Sequence, residues 1–170
     1  GIVLVSPLAD PPDEAERVGR WCAVAGIPVE VATAGDERAV GDVSWHAVWP
    51  DRLLRAEGSA PNNASVVLRF DIDGTRFLLP GDIEPPAQDA LAVMVSEVDV
   101  LKIPHHGSAH QSQRLAAQLS PRIVTVSVGA DNDYGHPAAS ALAMYRALGS
   151  RIVRTDHSGD IAIVLRDGAP

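Results

Sequence analysis

The stretch "SVVLRFDIDGTRFLLPGD", residues 65–82, decides the fold because it holds two β-rich runs joined by a tight turn. Asp73-Gly74 is a dipeptide typical of two-residue hairpin turns. We therefore predict an antiparallel hairpin in the middle of the chain. Its second strand runs straight into Gly81-Asp82. A carboxylate at the end of an apolar strand is costly unless it is paired, hydrogen-bonded or bound to a metal.

Outward from this hairpin, strands alternate with helices towards the C-terminus, and another hairpin precedes it. This mixture predicts a layered α+β domain with mixed strand directions. Functional residues in such sheets collect in loops beyond the strand ends. The predicted strands are "GIVLVSP", "IPVEVA", "VSWHAVW", "DVLKIP", "RIVTVSVG" and a closing hairpin in "RIVRTDHSGDIAIVLRDG" that turns near Ser158-Gly159; the predicted helices are "PPDEAERVGRWCAVAG", "PPAQDALAVMVSEV", "SQRLAAQLSP" and "PAASALAMYRALG".

Composition narrows the classes of function. A chain of 170 residues is long enough for one domain with a sizeable core. The net charge of -8 argues against a broad basic surface for nucleic acid, although bound cations could reverse the local charge. One cysteine, Cys22, excludes an internal disulfide. There is neither a signal peptide nor an apolar run that would span a bilayer. Gly1 begins the chain in mid-strand, which favours a fragment of a longer protein.

Four residues just past successive strand ends are candidates for a single site: Asp82, His105, His106 and His136. Each has an ordinary alternative, since aspartate commonly caps a turn or helix and a loop histidine is often only solvated. Neighbouring side chains on an extended segment point to opposite faces, so His105 and His106 can share a site only if the chain bends at Gly107. Together these residues form a donor set suited to zinc or manganese.

Other polar residues are weaker candidates. Asn62, Asn63 and Ser65 could line the site as neutral donors, or simply form a turn. We expect His46 to be packed in the core and His110 to be solvated. Asp156 and His157 are expected to be turn residues, and Lys102 lies off the core, where it meets either phosphate or water.

The motifs "NNASVVLRF", "LLPGDIE", "DVLKIPHHGS", "NDYGHP" and "RTDHSGDIAI" resemble, in order and spacing, the C-terminal metallo-β-lactamase-like domain of ComEC-type DNA-internalisation competence proteins. The resemblance is clearest over residues 62–164, and we treat 1–170 as a single partial domain. It implies an αββα sandwich with mixed sheets, helices outside and a divalent-metal site, of which this chain is the C-terminal portion. It further implies hydrolysis of DNA phosphodiesters, with a membrane channel elsewhere in the parent chain and this domain outside the cytoplasm.

The resemblance also implies roles for individual residues. Asp82 matches the aspartate that bridges two metals, and His136 matches the last metal-binding histidine. The pair at 105–106 supplies one more ligand or a catalytic proton carrier; we favour His106 on the metal and His105 as catalytic. Glu84 is implied to be a catalytic residue, which would contact substrate or a neighbouring ligand. The residues implied to bind substrate are Asn63, Ser65, Ser108 and Lys102.

One hallmark of that family is absent. The chain has no H-x-H-x-D-H motif, which would supply four ligands, so either truncation or degeneration has removed most of the metal site. A full site would use two ions about 3.5–4 Å apart to hydrolyse the substrate. We therefore expect this chain to be inactive alone. We also expect it to dimerise or swap strands through an exposed sheet edge and apolar face. The alternatives are a small-molecule phosphodiesterase, such as a phosphocholine esterase, and a metal-free binding module.

Overall fold

The predicted central hairpin is the middle of a seven-stranded mixed sheet. The computed structural model describes residues 1–55 and 58–165. The hairpin turns at Asp73 and Gly74, both at positive φ as a two-residue turn of this kind requires. The strands are β1 Val3–Val5, β2 Val29–Val31, β3 Glu37–Val40, β4 Val43–Trp49, β5 Val67–Ile72, β6 Thr75–Leu79, β7 Val100–Lys102, β8 Ile123–Val126 and β9 Arg151–Arg154.

Strands β3 to β9 pair in sequence order, antiparallel from β3 to β6 and parallel from β6 to β9. Strands β1 and β2 form a separate parallel pair. The α+β class and the mixed strand directions predicted from the sequence are therefore confirmed. The helices are α1 Pro12–Val24, α2 Ala60–Asn63, α3 Pro85–Leu91, α4 Gln113–Leu119, α5 Ala139–Ala147 and α6 Thr155–Ser158.

Capping residues determine where the helices begin and end. Helix α1 starts with a proline and has Asp13 and Glu14 in its first turn, where acidic side chains favour the helix dipole. In α4, the Ser112 hydroxyl accepts a hydrogen bond from the Leu115 amide, and Ser120 ends the helix in the left-handed conformation. Helix α3 ends at Leu91, earlier than its sequence pattern predicts.

The hydrophobic core lies between one face of the large sheet and helices α3, α4 and α5. Leu78, Leu101 and Val124 occupy paired positions on β6, β7 and β8, and all three are fully buried. Leu91, Leu115, Leu119, Leu142 and Tyr145 cover them from the helices. The opposite face is less well covered, and Leu79 on it is 41% exposed.

The predicted closing hairpin is wrong within the described residues. Strand β9 ends at Arg154 and is followed by the short helix α6, and residues 161–165 form no strand. The cause is Thr155, whose hydroxyl accepts from the Val128 amide and donates to the Val128 carbonyl. These bonds hold the chain against the end of β8 instead of letting it turn back; residues 166–168 of the prediction lie outside the described part.

Candidate functional site

The candidate site is built at the edge where four parallel strands end. Because β6 to β9 are neighbours with the same direction, the segments that follow them meet at one edge of the sheet. Asp82 follows β6, the histidine pair follows β7, His136 lies in the loop after β8, and Thr155 follows β9. The Asp82 side chain contacts those of His106 and Lys102, and the His105 ring contacts the His136 ring.

Asp82 is held by the turn that precedes it. Its amide donates to the Ser65 hydroxyl at 3.1 Å, and Gly81 lies at a φ of 60°. A Cβ atom on Gly81 would lie 2.8 Å from that of Ser65, so only glycine allows this approach. The Asp82 carboxylate, 40% exposed, faces the loop after β7.

The two adjacent histidines share the site because the backbone bends sharply. His105 and His106 have φ values of 47° and 52°, in the left-handed region that is uncommon for side chains other than glycine. This conformation turns both rings towards the same edge of the sheet. The bend predicted for Gly107 thus begins at His105, and such strain persists where surrounding contacts determine it.

The His106 ring is oriented by a backbone carbonyl. Its Nδ1 lies 2.6 Å from the Ser127 carbonyl oxygen, which can only accept, so Nδ1 carries the proton. Its Nε2 then faces Asp82 Oδ1 at 3.5 Å. A histidine whose second nitrogen is held in this way is the usual arrangement for a metal ligand.

His136 is positioned by its own loop. The Asn132 side chain donates to the His136 carbonyl and accepts from its amide. The His105 ring meets the His136 ring edge-on at 5.5 Å, and the exposed Tyr134 ring stacks on it at 6.2 Å. Burial and the neighbouring imidazoles lower the pKa of His136, and the negative charge of Asp82 opposes this shift without reversing it. Tyr134 was not predicted as a site residue. The only feature of the sequence that points to it is its position two residues before His136.

Lys102 is half-buried beside the same carboxylate. Its Nζ lies 3.8 Å from Asp82 Oδ1 and 3.5 Å from the Gly81 carbonyl oxygen. Burial lowers the pKa of Lys102, and the negative charge of Asp82 counteracts this. Lys102 also lines a cavity of about 460 Å³, whose wall is mostly apolar and whose other polar residues include Ser127, Thr155 and Asp160.

Glu84 and the asparagines form a clasp beneath Asp82 and do not face the open edge. The Glu84 carboxylate accepts from the Ser59 amide at 2.8 Å and from Asn62 Nδ2 at 3.1 Å. The Glu84 amide donates to Asn63 Oδ1, and Asn63 is fully buried. With Ser65 on the Asp82 amide, this clasp joins residues 59–65 to the turn that carries Asp82.

The other candidates lie away from these contacts. Ser108 is buried, with its hydroxyl directed to the His110 carbonyl, and His110 is exposed as predicted. His46, expected in the core, is instead 41% exposed and pairs with Glu37. Asp156 is held by Arg154, whose hydrogen bond lowers the pKa of the Asp156 carboxyl.

The donor set does not fit a self-sufficient metal centre. A zinc ion held by protein takes at least three protein ligands. Among residues 1–55 and 58–165, no group of three or more His, Cys, Asp or Glu side chains could hold a metal ion. Asp82 and His106 supply two donors, and a lysine lies on the same carboxylate oxygen.

Comparison with solved structures shows a shared fold. No family model matches the chain. The fold aligns with a protein of Parabacteroides distasonis ATCC 8503 described as a metal-dependent hydrolase, with a TM-score of 0.52 and 17% identity over 91% of this chain and 76% of that one. An identity this low shows a shared fold alone. The shared fold agrees with the predicted α+β class with mixed strand directions.

Sequence relatives narrow the class further. The chain is 29% identical to ComE operon protein 3 of Bacillus subtilis (strain 168) over 157 residues, which are 91% of this chain and 20% of that protein. It is 32% identical to competence protein ComA of Neisseria gonorrhoeae over 63% of this chain and 16% of that protein. It is 30% identical to recombination protein 2 of Haemophilus influenzae (strain ATCC 51907 / DSM 11121 / KW20 / Rd) over 61% of this chain and 13% of that protein.

The chain thus spans a fifth or less of the length of these relatives. The predicted relationship to competence proteins is confirmed. No helix among the described residues is long and apolar enough to cross a bilayer.

Proposed function

We propose that this chain is a domain of a DNA-uptake protein that engages the phosphodiester backbone of single-stranded DNA, and that the parent domain is a metal-dependent phosphodiester hydrolase. The observation that carries the proposal is the convergence of Asp82, the histidines at 105, 106 and 136, and Lys102 at the ends of parallel strands. Carboxylate, imidazole and ammonium groups on one edge are the chemistry that phosphodiester recognition and hydrolysis require.

The proposal places the domain outside the cytoplasm, beside a membrane channel of the same parent chain. Its support is the naming of the relatives as competence proteins and their greater length. The incoming DNA strand would be the substrate. The net charge of -8 agrees with local recognition at one edge of the sheet and not with a broad cationic surface.

This chain alone is expected not to hydrolyse DNA. The described residues bring only Asp82 and His106 together as donors for a metal. They therefore lack the ligands to hold the ion that would activate a water molecule.

A nuclease assay tests this expectation. The purified chain is incubated with labelled single-stranded DNA and Mn²⁺ or Zn²⁺, beside the Asp82→Ala variant. We expect no cleavage above background and no difference between the two proteins. Metal-dependent cleavage by the wild type that disappears in Asp82→Ala would show that the chain is active by itself.

A metal-free binding module is the second candidate, and the position of Lys102 beside Asp82 favours it. Metal content distinguishes the two readings. A hydrolase site should retain Mn²⁺ or Zn²⁺ once further ligands are supplied by a longer parent chain, whereas a binding module should contain none.

A further inference from the structure

Lys102 places its ammonium group beside a carboxylate and a carbonyl oxygen, a position that would suit any cation. Lys102 is the only lysine in the chain, and its side chain is only 21% exposed. Its Nζ contacts the Gly81 carbonyl and the Asp82 carboxylate, at 3.5 and 3.8 Å. An ammonium group has three N–H donors, so one remains to be directed into the cavity that Lys102 lines.

The position of Lys102 affects whether Asp82 could bind a metal ion, the kind of cofactor named in the description of the Parabacteroides distasonis protein. An ion held between Asp82 and His106 would lie near Asp82 Oδ1, which is the carboxylate oxygen nearest to both His106 Nε2 and Lys102 Nζ. Two positive charges within about 4 Å of one another repel strongly in a partly buried setting. Lys102 therefore opposes binding of a divalent ion at this carboxylate.

We infer that Lys102 takes the place of a metal ion at Asp82, and that its ammonium group is the cation that meets a phosphate group of the DNA backbone. The inference rests on the proposed function for the identity of the ligand. The replacement of a metal ion by the lysine ammonium group is argued independently of the proposed function. Asp82 then serves as a positioning residue that holds the ammonium group at the mouth of the cavity, next to the His106 ring.

Manganese titration tests the exchange directly. Binding of Mn²⁺ is measured from the loss of the free-ion signal in electron paramagnetic resonance, for the wild type, Lys102→Met and Lys102→Arg. With only Asp82 and His106 as donors among residues 1–55 and 58–165, Mn²⁺ binding is expected to be weak in every variant. We expect Lys102→Met nevertheless to bind Mn²⁺ at least about tenfold more tightly than the wild type, because the competing charge is gone. Lys102→Arg, which keeps the charge, should behave like the wild type.

A matched control removes an unrelated cation. Arg122→Met eliminates one positive charge from the exposed loop before β8 and should leave Mn²⁺ binding unchanged. Adding Asp82→Asn to Lys102→Met should abolish the gain. If Lys102→Met binds Mn²⁺ no more tightly than the wild type, the inference is overturned.

The phosphate contact is tested with a fluorescent oligothymidylate in EDTA, by anisotropy at low salt. We expect the wild type to bind without a divalent ion, Lys102→Met to lose about tenfold or more in affinity, and Lys102→Arg to retain most of it. Binding that requires a divalent ion would overturn the inference. If Lys102→Met gains Mn²⁺ affinity while no variant binds the oligonucleotide, the exchange of lysine for metal stands and the nucleic-acid ligand of the proposed function is wrong.

Discussion

The carboxylate of Glu84 joins two segments of the chain at the base of the site. Both of its oxygens accept hydrogen bonds from the loop at 59–62, and Gly58 passes so close that a Cβ there would collide with Glu84 Oε2 at 2.2 Å. A carboxylate with both oxygens engaged in this way fixes the backbone of the turn two residues away. Glu84 thus positions Asp82 through the chain, in addition to any contact with a ligand.

Glu84→Gln should weaken this clasp. The amide group can accept from only one of the two donors, and it brings its own N–H groups towards the other. We expect the free energy of unfolding to fall by about 1–2 kcal/mol, measured by urea denaturation. The control Glu97→Gln changes an exposed carboxylate and should have almost no effect. Equal stability of the two variants would contradict the clasp.

At the scale of elements, the loops after β7 and β8 are locked together. The Gly107 carbonyl accepts from the Ala138 amide at 2.8 Å, and Gly107 has a φ of 80°. A Cβ on Gly107 would lie 2.8 Å from the Cβ of Pro137. This contact places His136 beside His105, so the relative position of two candidate site residues depends on a single glycine.

Gly107→Ala should therefore disturb both loops. The left-handed backbone alone costs about 1–2 kcal/mol for an alanine, and the contact with Pro137 adds to it. We expect lower stability in thermal unfolding and altered NMR chemical shifts for the His136 ring. Gly129→Ala, where no atom lies within 4 Å of the added Cβ, should change neither. Unchanged His136 shifts in a folded Gly107→Ala protein would count against this coupling.

At the scale of the whole molecule, residues 1–55 and 58–165 leave one face of the large sheet incompletely covered. Phe77 on that face is only partly buried, and Leu79 on it is 41% exposed. Val40, at the β3 edge of the same sheet, is 78% exposed. Apolar surface of this kind commonly marks an interface.

We expect the isolated chain to self-associate through this face, as predicted from its sequence. Light scattering should show an average mass that rises with protein concentration. Leu79→Lys should reduce the association because it places a charge on the interface. The control Val93→Lys alters an exposed residue outside the sheet, beyond α3, and should leave it unchanged. A constant monomer mass over the whole range would refute the expectation.

Local patterns in the sequence determined the elements of this protein. Alternating apolar residues, the Asp73-Gly74 turn and helix signals such as the proline at the start of α1 act within a few residues, so the central hairpin and the main helices were predictable. The same holds for the placing of Asp82, His105, His106 and His136 beyond strand ends, because strand order and direction follow from the hairpin and the alternating helices.

Only the tertiary structure decided which of these side chains meet. The hydrogen bond from His106 to the Ser127 carbonyl joins two segments that are 21 residues apart in the sequence. The hydrogen bonds of the Glu84 clasp join segments that are 21 to 25 residues apart. No local signal specifies such contacts, since each depends on the packing of whole strands and loops. For the same reason, the sequence did not predict that Thr155 would bond to Val128 and that a short helix would replace the expected hairpin. Nor did it predict that Lys102 would contact the Asp82 carboxylate, where a metal was expected.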